Sequence, residues 1–159
     1  AHEPEIAATD PFEGFPFKLG DVIARSSTED VVLTGALSLG DGGTPIAMLY
    51  VGTLSRNRVV VIATYPARST LTWLEIEAHA PNDAPSVIEV ERGLLTRERR
   101  LPVAVSRIGA DAPKMGPEAT FYEFRDQAGQ AAMLLRSDEQ TIFATGEWIS
   151  IALLTHTPV

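Results

Sequence analysis

A chain of 159 residues can build one domain with a real core, since about 70% of the unfolded surface is buried at this size, and 45% hydrophobic with 21% charged residues is a globular balance. No apolar run approaches the roughly 18 residues of a membrane-spanning helix. A net charge of −8 disfavours nucleic acid and anionic membrane surfaces, which need clustered positive charge. The absence of cysteine excludes disulfides, thiolate chemistry and sulfur-ligated zinc.

The chain opens Ala1-His2-Glu3-Pro4 without methionine, a start that suits the mature end of an exported protein. A periplasmic or secreted location is therefore the expectation, although a cysteine-free composition suits the bacterial cytosol as well. Residues 1–16 carry three prolines and four acids with little periodicity and read as an extended N-terminal arm. Phe12, Phe15 and Phe17 could lay that arm across the body. Residues 17–159 then form a single β domain, beginning with a short strand over Phe17–Arg25.

Val31–Leu39 alternates, with Val31, Leu33, Leu37 and Leu39 on one face and Thr34, Ala36 and Ser38 on the other. Gly40-Asp41-Gly42-Gly43 supplies a hairpin turn, and Ile46–Val51 returns. Arg58–Tyr65 is β-branched and apolar on both faces, the pattern of a central strand covered on both sides. Pro66-Ala67-Arg68-Ser69 closes it.

Leu71–Gly93 reads as a hairpin with Pro81, Asn82, Asp83 and Pro85 in its turn. Trp73, Glu75, Glu77 and His79 alternate with Leu74, Ile76 and Ala78, and Val87–Glu91 alternates in the same way. If Glu77 pairs with Glu89, the apolar residues make one continuous face. The opposite face then carries Trp73, Glu75, Glu77, His79, Glu89 and Glu91.

Leu94–Arg100 is a basic segment, followed by a strand over Leu101–Ile108 and a loop over Gly109–Pro117. Thr120–Arg125 and Ala131–Arg136 read as a hairpin through Gly129. A helix over 117–136 is the alternative, with Phe121, Phe124, Ala128, Ala132 and Leu135 along one side. Gly129 and the aromatic start of the segment favour strands. Ile142–Ala144 and Trp148–Leu154 complete about ten short antiparallel strands, the pattern of an all-β single domain, either a β-sandwich or a jelly-roll-like barrel.

Few stretches carry chemistry. Gly40-Asp41-Gly42-Gly43 lacks the spacing of a nucleotide-binding loop. Ala36-Leu37-Ser38-Leu39-Gly40 has the letters of a loosened nucleophile elbow but runs from a strand into a tight hairpin, where an elbow needs a helix. Glutamates opposed across a sheet repel, so the Glu75–Glu91 face needs water, the arginines that follow it, or a bound cation. Oxygen ligands with one imidazole suit calcium or manganese better than zinc. The same glutamates could also serve as the carboxylate pair of a sugar hydrolase, with Trp73 as a stacking platform.

Glu77-Ala78-His79, Pro81 and Glu91-Arg92-Gly93 resemble the first metal motif of cupins over about 20 residues. Glu77 stands where that family has histidine, and no later histidine resembles the second motif. The resemblance implies an all-β barrel and assigns no metal ligands here. Arg97, Arg99 and Arg100 are candidates for an anionic partner, or for pairing within the chain.

The expectation is a non-catalytic binding or assembly module that docks on a protein partner or forms a homo-oligomer, with no catalytic residue assigned. A cation-dependent binder or hydrolase working from the charged face is one alternative. A lipocalin-like carrier is another, and it requires the apolar faces of Val31–Leu39 and Arg58–Tyr65 to surround space.

Overall fold

The computed structural model describes residues 10–25, 29–54, 57–83 and 85–159. Eleven strands are present among them: β1 (Val22–Arg25), β2 (Val31–Asp41), β3 (Thr44–Thr53), β4 (Arg58–Thr64), β5 (Thr70–Ile76), β6 (Val87–Val90), β7 (Gly93–Ile108), β8 (Glu118–Arg125), β9 (Gln130–Arg136), β10 (Thr141–Ser150) and β11 (Leu154–Thr157). A single 3-10 turn, Ile151–Leu153, links the last two. No helix among these residues is long and apolar enough to cross a membrane.

All pairings are antiparallel. They run β2-β3-β4-β5-β10-β9-β8-β7, and β7 returns to β2 to close an eight-stranded barrel. The other three strands lie outside the ring: β1 and β11 continue from β2, and β6 pairs with the first residues of β7. The fold is thus an all-β barrel with a partial second layer.

Side-chain alternation builds three cores. Inward residues from all eight barrel strands, among them Leu37, Leu49, Ile62, Leu74, Phe121 and Met133, pack into one cluster. The apolar faces of β2 and β4 therefore meet other side chains over much of their length. A second cluster lies between the outer wall and β1, with Ile23, Tyr50, Val61, Trp73, the arm residue Phe12, and Phe17 just after the arm. The third lies under β6, where Ile88 and Leu95 cover Tyr122, Phe124 and Leu134. β4 is buried on both faces, as its composition predicts: Val60 and Ile62 look inward, Val59 and Val61 outward.

Several sequence expectations change. Val31, Leu33, Leu37 and Leu39 do not share a face, because a register shift between Leu33 and Gly35 turns the first two to the outer cluster and the last two to the barrel interior. Ile142–Ala144 and Trp148–Leu154 are not separate strands: β10 runs through Gly146, whose missing side chain makes room for the Trp73 carbonyl on β5. The basic segment before Leu101 is itself strand, the first half of β7. The hairpin through Gly129 forms as expected.

The Leu71–Gly93 hairpin does not form. β5 pairs with β4 and, over seven residues, with β10, while β6 pairs with β7. The physical reason lies in Trp73. It belongs with Leu71 on a buried outer face, so β5 is apolar on both sides and takes a central place that a four-residue partner could not cover.

Within the described part of the arm, residues 10–16 turn across the body. Phe12 stacks on Tyr50 with ring centres 5.9 Å apart, and the Tyr50 hydroxyl donates to the Phe17 carbonyl at 2.8 Å. Burial pushes that hydroxyl well above the ordinary tyrosine range. Residues 1–9 lie outside the described residues.

Asp21 holds this layer together. Its buried carboxylate accepts from Lys18 N and Val159 N, each at 3.0 Å, and stands 2.7 Å from His156 Nε2 on β11. Burial raises its pKa, but the hydrogen bonds from Lys18, Val159 and His156 outweigh burial and hold it below the usual value.

Two expectations follow. A Gly35→Ala side chain would meet the Ala112 backbone, and overpacking of this kind costs about 1–3 kcal/mol, read as a lower urea midpoint; an unchanged midpoint would show that loop and strand do not meet so closely. Because the folded-state pKa of Asp21 is depressed, its contribution is complete above the unfolded aspartate pKa of about 3.9 and fades as the pH falls through the folded value. Asp21→Asn should therefore lower stability at pH 7 and flatten the acid limb of a pH–stability curve, and parallel limbs for the two proteins would contradict the assignment.

Candidate functional site

The two ends of the barrel differ. At one, the loop between β7 and β8 folds inward, and Ala112 and Met115, each 4% exposed, join the interior cluster. Two arginines pin that loop by its carbonyls. Arg107 donates to Pro113 and Ala112 at 2.8 and 2.9 Å, and Arg58 donates to Asp111 at 3.0 Å. Gly35 and Gly109 meet where the loop crosses β2, which closes this end with backbone against backbone.

The opposite end stays open. Alternation along Phe121-Tyr122-Glu123-Phe124 puts Tyr122 and Phe124 in the cluster under β6 and Phe121 inside, so Glu123, two residues on, points inward near the rim. Its side chain is 9% exposed. Arg99 Nε donates to Glu123 Oε1 at 2.6 Å, and Arg125 Nη2 lies 3.8 Å from Oε2. A register shift between Arg97 and Arg99 brings Arg99 opposite Glu123 on the inner side while Arg100 faces out, 5.9 Å from the centre of the Tyr122 ring.

The remaining wall comes from β3, β4 and β5. Ile46, Ile62 and Leu101 form an apolar floor, Thr72 is buried beside them, and Tyr65, Arg68 and Glu98 stand at the rim of a cavity of about 400 Å³. Thr64 lines the same cavity, but its hydroxyl oxygen is itself closed off from it and has no hydrogen-bond partner among the described residues. The Arg125 guanidinium carbon lies 5.7 Å from the Trp148 ring centre, and Trp148 sits opposite Thr72 in the β5–β10 ladder.

Chemically, this is a concave site with convergent guanidinium groups. The Arg99 guanidinium gives one donor to Glu123 and makes no other hydrogen bond to a described residue, and the Arg125 guanidinium makes none. Most of their side-chain N–H groups thus have no hydrogen-bond partner among the described residues, and both residues line the cavity.

The residues singled out in the sequence are scattered. Trp73 is 4% exposed in the outer cluster, under the Arg25 guanidinium at 5.8 Å. Glu75 accepts from Asn57 at 2.6 Å, and Glu77 accepts from Thr145 at 3.1 Å. His79 is exposed beyond the end of β5, and Glu89 is exposed on β6. Glu75 and Glu91 do come together, lining one outer groove with Arg92 and Glu147. Glu147 is bonded by Arg25 at 2.9 Å. The described residues contain no group of three or more histidine and acidic side chains placed to hold a metal ion. Arg97 is half-buried on the outer side of β7, bonding Ser86 through its backbone.

Sequence reasoning missed Glu123, Arg125, Thr64 and Trp148 as a group. One signal was available: Glu123 is a lone acid among aromatic residues in a strand that buries both faces. The chain matches no protein-family model, no curated protein and no solved structure.

Glu123→Gln removes the charge that both arginines face. The expected cost is about 1–2 kcal/mol in urea melts, below that of a fully buried pair because the arginines remain partly hydrated. An unchanged melt would mean that the carboxylate is dispensable to the fold.

Proposed function

We propose that this chain is a non-catalytic binding module whose ligand enters the open mouth between Thr64, Thr72, Arg99 and Arg125. The observation that supports it is the grouping of Arg99, Arg125 and Glu123 over an apolar floor in a cavity of about 400 Å³, at the end of the barrel opposite the inward-folded loop of Ala112 and Met115. That size falls within the range of small-molecule sites, which place a few polar groups over an apolar floor.

Glu123 favours binding over catalysis. One of its oxygens is bonded by Arg99 and the other faces Arg125, an arrangement that orients guanidinium groups and leaves little room for proton transfer. The open sheet edges favour the mouth as well. β6 and β11 are four residues long, and short edges offer little template to a further strand.

A screen of small fragments by backbone-amide NMR tests the reading. Shifts should cluster at Ile62–Thr72, Glu98–Leu101 and Glu123–Arg125 and spare the Gly109–Gly116 loop. Shifts confined to that loop or to the β6 and β11 edges would overturn it.

A further inference from the structure

Resting on the reading of the mouth as a ligand site, we infer that its ligand class is a small organic monocarboxylate: a single negative charge carried on a compact apolar body. Charge comes first. Arg68, Arg99 and Arg125 face Glu98 and Glu123 around the cavity, leaving one net positive charge in a chain whose net charge is −8. A singly charged anion balances that excess. A doubly charged one would meet the Glu123 carboxylate at close range.

Donor geometry points the same way. The Glu123 carboxylate holds Arg99 through Nε and faces Arg125 through one Nη, so the guanidinium end of Arg99 and the remaining donors of Arg125 are available to a second carboxylate.

The apolar body has its own place. Ile46 and Ile62 make an apolar floor on β3 and β4, with Leu101 beside Arg99 on β7. Trp148, 37% exposed and already against Arg125, offers a ring at the same end of the barrel.

The test titrates the protein with phenylacetate and hexanoate, following the Trp148 indole resonance assigned with Trp148→Phe. Its control arms are 2-phenylethanol and inorganic phosphate at matched ionic strength. Both carboxylates should shift the resonance saturably, with the alcohol and phosphate at least tenfold weaker. Arg125→Gln should weaken carboxylate binding about tenfold, with circular dichroism unchanged.

Glu123→Gln supplies the opposite sign. Removing the fixed negative charge should tighten phosphate binding relative to phenylacetate, which a merely structural glutamate would not do. If the alcohol binds as well as phenylacetate and Arg125→Gln is silent, the ligand class is wrong while the mouth stands as a site. Phosphate binding the parent as tightly as phenylacetate also overturns the monoanion assignment. If no probe moves any mouth resonance and the fragment screen is equally silent there, the reading of the mouth falls with it.

Discussion

Closure of the barrel depends on how β2 divides its second edge. Along one side β2 pairs with β3 over nearly its whole length. Along the other, Val31 and Val32 pair with β1, and Ala36–Gly40 pair with β7. The change of partner falls at Thr34-Gly35, where the register shift reverses which face is buried and where the 109–112 loop crosses with no space for a side chain. A regular strand would serve one layer or the other. The irregular one joins the ring to β1 and lets the same eleven residues contribute to two cores.

What was legible in the sequence follows from the range of the interactions. Adjacent strands joined by a glycine turn, β2 with β3 and β8 with β9, are written in local alternation and turn chemistry. The two-sided burial of β4 is written in its composition. The β5–β10 and β2–β7 pairings that close the ring join strands about 70 residues apart in sequence, and local pattern carries no information on which distant strand a given edge will choose. Trp73 shows the consequence. Set among glutamates at every second position it reads as part of a charged face, yet its position on β5 places it beneath the outer layer, so only Glu75 and the residues beyond it emerge into water.

The bulge in β7 hid the site in a different way. Leu95 and Leu101 are six residues apart, an even spacing that would place them on one face of a regular strand. Leu95 instead packs under β6 and Leu101 looks into the barrel, because the register shift between Arg97 and Arg99 changes the phase. Arg97-Glu98-Arg99-Arg100 reads as one basic patch, but the fold divides it. Arg100 lies over Tyr122 outside, and Arg99 reaches Glu123 inside.

The same device explains how a charged pair can exist within an apolar barrel. A carboxylate is costly to remove from water unless charged hydrogen bonds replace its hydration. Glu123 meets that condition because it lies two residues from Phe121 toward the open end, so the guanidinium groups reach it while their outer faces keep contact with solvent. Placed deeper, beside Phe121, the pair would lose that water and the interior would favour an apolar side chain. Placed beyond Arg125, the carboxylate would be solvated and would hold neither arginine in place. The position between these limits fixes two arginines with one acid at the wall of the cavity in the open end.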